Sequence, residues 1–165
     1  MKTPIPDEDV RSGQMGEATK RKLSEGKITE LDFEVAQILY KINERYNISA
    51  ASFYKALDLG HAVLILTKGE AGLLIGRYGK IVSELSSSLG RKVRIAEVKG
   101  DVKKSISDVI MPARLLGVNH IFHEGKELTK VRLSKLDLAH LPIYIPSLEK
   151  ALKALMEQEV LLEFE

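Results

Sequence analysis

The sequence predicts an α+β fold in which one succession of elements, helix-strand-strand-helix-helix-strand, occurs twice. Three observations predict it. Apolar residues recur at helical spacing in four stretches that begin at Leu31, Ile81, Val102 and Leu148. Between them stand β-branched runs such as Ala62-Val63-Leu64-Ile65-Leu66, and an alternating one, Val160, Leu162 and Phe164. Glycines and prolines punctuate the joins. The repeat is one of pattern, not of residue identity.

The 165 residues are 44% hydrophobic and 29% charged, which suits a globular chain with a real core, as one ordinary domain or two small ones. There is no cysteine, so disulfides, thiolate metal sites and a cysteine nucleophile are excluded. No apolar run approaches the ~20 residues that span a bilayer. The charged amino terminus lacks the apolar core of a signal peptide, so no membrane contact and a cytoplasmic location are expected. Net charge is only +2. Its distribution says more. From Lys68 to Arg94 the cations are Lys68, Arg77, Lys80, Arg91, Lys92 and Arg94, against the anions Glu70 and Glu84.

Residues 1–28 show little periodicity and read as an arm with at most one short helix, around Glu17–Ser24, either loose or capping the body. Thr29 and Asp32 have the spacing of a capping box. Leu31, Val35, Ile38, Leu39 and Ile42 then mark a helix that ends near Tyr46-Asn47. Ser52–Leu57 reads as a strand, Asp58-Leu59-Gly60 as a turn, and the Ala62–Leu66 run as a central strand. A short helix over Glu70–Ile75 leads into Gly76-Arg77-Tyr78-Gly79. Ile81, Leu85 and Leu89 make the next helix, with Gly90 as its C-cap. Val93, Ile95 and Val98 mark a third strand. Residues 29–98 thus form one unit and 99–165 a second.

In the second unit Asp101 caps a helix carrying Val102, Ile106, Val109 and Ile110, which Pro112 bends or breaks and Gly117 ends. Val118–Phe122 and Leu128–Leu133 flank a hairpin turn. Leu136–His140 is a short helix at most, and Ser147 caps the helix of Leu148, Leu152, Leu155 and Met156. The final strand closes the series.

The stretch Leu74-Ile75-Gly76-Arg77-Tyr78-Gly79-Lys80-Ile81 carries the chemistry. A glycine, having no Cβ, lets the chain turn sharply and lets a phosphate or sugar approach the backbone. The following helix offers a partial positive charge at its N-terminus. Arg77 and Lys80 supply cations, and Tyr78 a surface for a sugar or base. Leu74, Ile75 and Ile81 would line an apolar floor, with Lys92 and Arg94 on the opposite rim. These ten residues are the expected site, a backbone clamp for single-stranded nucleic acid. Two glycines three apart are a weak signal alone; two helical patterns, a preceding buried strand and a basic local field strengthen it.

The run "VLILTKGEAGLLIGRYGKIVSELSSSLGRKVRIAEV" resembles a KH domain, and its "IGRYGK" and "LGRKVRI" portions resemble the KH modules of NusA and its archaeal relatives. The element order is that of type II KH domains. The resemblance implies tandem type II KH-like domains, with Gly76, Arg77, Tyr78 and Gly79 clamping the backbone of about four nucleotides. The second unit is degenerate: where a clamp would fall it reads "LDLAHLPIYIPS", without the glycine pair and stiffened by Pro142 and Pro146. The arm resembles the zinc ribbon that opens archaeal KH proteins, but Pro6, Asp9, Met15 and Ala18 stand where cysteines would be, so no zinc site is expected.

Other chemistry is weaker. His120 and His123 sit three apart on a strand and point to opposite faces, a poor metal pair. His61 and His140 read as surface or packing residues. Ser86-Ser87-Ser88 has no base at recognisable spacing and reads as an exposed helix face. The Walker ending is missing. The acidic carboxyl end, from Glu149 to Glu165, reads as a solvated face. No enzyme activity, cofactor or metal is expected. The resemblance implies a non-catalytic factor in transcription elongation, termination or RNA processing, binding single-stranded RNA or DNA, with RNA polymerase or the ribosome as a further contact. The alternative is a protein–protein adaptor that keeps the shape without strong RNA binding.

Overall fold

The computed structural model describes residues 1–98 and 101–165. Residues 99 and 100, where the second unit is expected to start, lie outside the described residues. The architecture is α+β: among the described residues there are seven α-helices and two three-stranded mixed sheets. The chain forms two units, Met1–Asp58 with Ala62–Glu97, and Leu59–His61 with Val98–Glu165.

The first unit runs α1 (Asp7–Ser12), α2 (Glu17–Ser24), α3 (Glu30–Tyr46), β1 (Phe53–Asp58), β2 (Ala62–Thr67), α4 (Ala71–Ile75), α5 (Lys80–Leu89) and β3 (Lys92–Glu97). The sheet order is β1-β2-β3. β1 and β2 are antiparallel, with Phe53 beside Thr67. β2 and β3 are parallel, with Val63 beside Val93 and Ile65 beside Ile95. A parallel pair needs a crossover, and α4 and α5 supply it. Val35, Leu39 and Ile42 of α3, Leu74 of α4, and Ile81 and Leu85 of α5 share one core cluster with Val63, Ile65, Val93 and Ile95. Burying each such side chain stabilises the unit by about 1.5–3 kcal/mol.

The capping box of α3 forms. Thr29 Oγ1 accepts from the Asp32 backbone N–H at 3.1 Å, and Asp32 Oδ2 accepts from the Thr29 N–H at 2.9 Å. Asp32 Oδ1 also accepts from the Ala56 N–H at 2.7 Å, tying the start of α3 to β1. Asn47, in the left-handed region, closes the other end of α3.

The arm differs from the expectation of at most one short helix. It holds two helices, and Ile5, Val10 and Ile28 are buried in the same core cluster as α3. The 8-residue helix is the one expected at Glu17–Ser24, and the further helix, of 6 residues, shows too few apolar positions for periodicity to reveal it. Contacts from the body hold the arm: the Lys2 N–H donates to Ala51 O at 3.1 Å, and the Phe53 N–H to Lys2 O at 2.8 Å. Asp9 fastens the α1–α2 turn, accepting from the Thr19 hydroxyl and, at 2.9 Å, from the Gly16 N–H.

Those hydrogen bonds, the Thr19 hydroxyl first, hold the Asp9 carboxyl below the ordinary aspartate range. A lowered value stabilises the folded arm fully above about pH 4, and the contribution is lost as pH falls through it. We expect Asp9→Ala to speed hydrogen exchange of the Gly16 amide at neutral pH, and acidification below about pH 4 to lower that amide's protection, relative to the intrinsic exchange rate at the same pH, in the unaltered chain. Equal exchange rates in both proteins would refute the role given to Asp9.

The second unit contains α6 (Val102–Ile110), β4 (Leu115–His123), β5 (Lys126–Leu133), a 3-10 segment (Lys135–His140), α7 (Ile145–Met156) and β6 (Val160–Phe164). Its sheet repeats the first: order β4-β5-β6, the first pair antiparallel and the second parallel. Asp101 caps α6, its Oδ1 accepting from the Lys103 N–H at 3.0 Å. Two boundaries differ from expectation. Gly117 lies inside β4, at a register shift, and not at the end of a helix; α6 stops at Ile110, before the cis Met111–Pro112 bond. Ser147 lies within α7 and does not cap it. Helix α7 begins at Ile145, because Pro146 fits a first turn whose N–H groups have no intrahelical partner.

Candidate functional site

The strand directions decide what gathers around Gly76–Gly79. The N-terminal end of β1 and the C-terminal ends of β2 and β3 lie at one end of the first sheet. Helix α3 ends six residues before β1, and α5 runs back from that end to the start of β3. The C-terminus of α3, the β2–α4 turn and the N-terminus of α5 therefore meet around the glycine loop.

Gly76 has φ 78° and ψ 167°, Tyr78 φ 57° and ψ 28°, and Gly79 φ 72° and ψ 20°. The Gly76 N–H donates to Gly72 O at 2.8 Å, and the Gly79 N–H to Gly76 O at 3.1 Å. A Cβ on Gly76 would lie 2.5 Å from Ile81 Cγ1 and 2.8 Å from the Ile81 backbone nitrogen. The first glycine thus lets α5 start directly against the loop. A Cβ on Gly79 would meet only Val82 Cγ1, at 3.7 Å. Tyr78 is 95% exposed, and Arg77 and Lys80 are exposed beside it. The Arg77 guanidinium lies 5.4 Å from the centre of the Tyr78 ring. The partial positive charge of the α5 N-terminus adds to both cations.

The sequence-predicted residues do not all converge here. Gly76, Arg77, Tyr78, Gly79 and Lys80 form the exposed turn, and Ile75, 39% exposed, flanks it. Leu74 and Ile81 are core residues, 0% and 4% exposed, and line no groove floor. Lys92 stands at the other end of α5, whose ten residues span about 15 Å. Arg94 alternates with the core residues Val93 and Ile95, so strand geometry places it with Leu64 on the sheet face away from that core. The structure brings neither Lys92 nor Arg94 to the loop.

Sequence reasoning missed other groups at this end. The Lys80 ammonium sits over the Tyr46 ring, 4.7 Å from its centre, and the Arg45 guanidinium is 5.4 Å from it. Tyr46 OH donates to Glu84 Oε1 at 2.9 Å, and Arg45 Nη2 pairs with Glu84 Oε2 at 2.6 Å. Lys68 caps the Tyr54 ring at 4.1 Å. Three tyrosines thus carry cations at one end of the unit. Tyr46 and Lys80 are too far apart in sequence for any local motif to join them. Ser86, read as exposed, accepts from the Val93 N–H at 3.1 Å and serves the α5–β3 join.

In the second unit the matching crossover, from β5 to β6, has a different backbone. Between β5 and β6 the residue with a positive φ is Glu157, φ 55°, at the C-terminal end of α7, and the start of α7 carries none. The segment after the 3-10 turn borders a cavity of about 590 Å3, lined by His61, Leu138, Pro142, Tyr144 and Pro146 among others. His61 Nε2 lies 2.8 Å from Pro142 O, and its ring meets Tyr144 edge-on at 4.9 Å. His61 is thus a packing residue. Leu136 and Tyr144 are largely exposed. Asp137 accepts from the Arg114 side chain and backbone, both at 2.9 Å, which holds its carboxyl below the ordinary range. Among the described residues no three His, Asp or Glu are grouped to hold a metal ion, and no helix is long and apolar enough to cross a membrane.

No protein-family profile matches this chain, and no curated protein matches it. Among solved structures, the crystal structure of APE1850 is similar over 77% of this chain and 96% of that one, with a TM-score of 0.52 and 20% sequence identity. At that identity the likeness is one of fold.

Proposed function

We propose that the chain binds single-stranded RNA without catalysis, through the Gly76–Gly79 loop, as a pair of type II KH-like units akin to the tandem region of NusA. One observation carries the reading. A glycine-flanked left-handed turn presents exposed Arg77, Tyr78 and Lys80 at the N-terminus of α5, with Gly76 pressed against that helix. Such a turn lets a phosphate reach the backbone and keeps cations beside it. The repeated strand order and the resemblance of "IGRYGK" support the KH reading. The second unit's crossover has no glycine pair, and its left-handed residue, Glu157, ends α7 and presents no such turn at a helix start. A role in transcription elongation, termination or RNA processing, with RNA polymerase or the ribosome as neighbour, belongs to the same proposal.

Arg77→Asp/Tyr78→Asp is expected to weaken RNA binding at least a hundredfold, because it reverses one charge, adds a second negative charge and removes the exposed ring. Both side chains point into solvent, so circular dichroism and the unfolding midpoint should be unchanged. A gel-shift titration reads the outcome. Unchanged affinity overturns the RNA reading and leaves the adaptor reading, which the exposed Leu136 and Tyr144 beside the second unit's cavity favour.

A further inference from the structure

Between α3 and α5 runs a groove of about 440 Å3, lined by Glu34, Gln37, Ile38, Lys41, Ile42, Arg45 and Ser88. The two helices are antiparallel, so Arg45 and Tyr46 sit beside Lys80 at the loop end, while Ser88 lies toward the other. Ile38 and Ile42 give the groove an apolar floor. Gln37, Lys41, Arg45 and Ser88 give it hydrogen-bond donors. At its mouth stands the half-buried Tyr46 ring, with the Lys80 ammonium over it. Arg45 is neutralised by Glu84, whose carboxylate also accepts a hydrogen bond from the Tyr46 hydroxyl and so fixes the ring. The cations Lys41, Arg45 and Lys80 exceed the anions Glu34 and Glu84 by one.

A ring held in place, a cation over it and a donor-lined groove beyond are the parts of a single-strand station: a base stacks on the ring, and the backbone passes the cations. We infer that the bound strand continues past the four-nucleotide clamp, stacks one base on Tyr46 and runs into the α3–α5 groove, where Lys41 meets a phosphate. The inference rests on the proposed RNA binding at Gly76–Gly79 and extends that site to a second helix face. When a phosphate arrives, the Lys80 ammonium moves from the ring face to it, and the base takes the vacated face. The occupant is the same RNA strand, since the groove's Arg45 end adjoins Lys80 through the Tyr46 ring and its cations outnumber its anions.

Oligouridylates of four and ten nucleotides test this by fluorescence anisotropy. The unaltered chain should bind the longer one about tenfold more tightly, the worth of one stacked base and its phosphate. Tyr46→Ala should remove that gain and leave four-nucleotide binding in place. Tyr46 also joins the two helices, so Lys41→Glu, an exposed change, serves as the second variant. It should lower ten-nucleotide affinity and reduce the salt slope by about 0.7 for the lost phosphate. The inference is overturned if affinity is level from four to ten nucleotides, or if both variants bind the longer strand normally while Arg77→Asp/Tyr78→Asp does not. If neither oligonucleotide binds, or the loop variant binds normally, the loop reading itself fails and this extension with it.

Discussion

Replacing Gly76 with alanine is expected to destabilise the first unit by about 2–6 kcal/mol, and the same change at Gly79 by only about 1–2 kcal/mol. The two glycines look equivalent in the sequence. Gly76, at φ 78° and ψ 167°, occupies a region that glycine alone enters readily, and leaving it costs about 1–3 kcal/mol. Its added Cβ would also press on the Ile81 side chain and backbone nitrogen, a further ~1–3 kcal/mol of overpacking. The nitrogen belongs to α5, so relief requires moving the helix. Gly79 sits in the ordinary left-handed region with open space around it, and only the backbone term remains. Urea unfolding followed by circular dichroism separates the two. Equal midpoints for the two variants would show that the loop does not bear on α5 as described.

Asp32→Ala is expected to cost about 2–4 kcal/mol. The substitution removes half of the capping box and strands the Ala56 N–H, which is buried and has Asp32 Oδ1 as its acceptor. The cap accounts for about 1 kcal/mol, and the unpaired buried donor for about 1–3 kcal/mol. Asp32→Asn, which keeps the shape and one acceptor, should cost less. Exchange of the Ala56 amide should accelerate in the alanine variant. A change in midpoint worth under about 0.5 kcal/mol, the size of an ordinary surface substitution, would sink the claim.

Asp32 also shows where sequence reasoning stops. Its pairing with Thr29 is local, three residues apart, and legible as a capping box. Its bond to Ala56 depends on α3 folding back over β1, which no local spacing encodes. The same division runs through the fold. Strand β2 was legible because all six of its side chains are buried and no other short element demands such a run. Gly117 was misread because its reason is tertiary: the Arg132 guanidinium occupies the space where a Cβ would stand. In a chain read alone, such a glycine looks like a helix stop.

The candidate site divides likewise. The turn Gly76–Gly79 is contiguous and could be read directly. Leu74 and Ile81 were misplaced because the apolar stripe that seemed to line a groove is the stripe that builds the core. Lys92 and Arg94 are near Lys80 in sequence, but helix length and strand alternation separate them from it in space. Tyr46 is far in sequence and close in space, so only the packing of α3 on α5 reveals it.

The glycine turn lies within the only covalent link between two parallel strands, β2 and β3. Until that crossover takes its shape, the strands cannot come into register, and Val93 and Ile95 cannot join the core. Folding therefore builds the turn before any ligand arrives, and its two internal hydrogen bonds hold it there. A strand docking on it, as proposed, would have little backbone entropy to remove from the protein, at about 1–2 kcal/mol per residue otherwise. Encounter rates should then vary little among ligands, and discrimination between them should appear in how long each one stays.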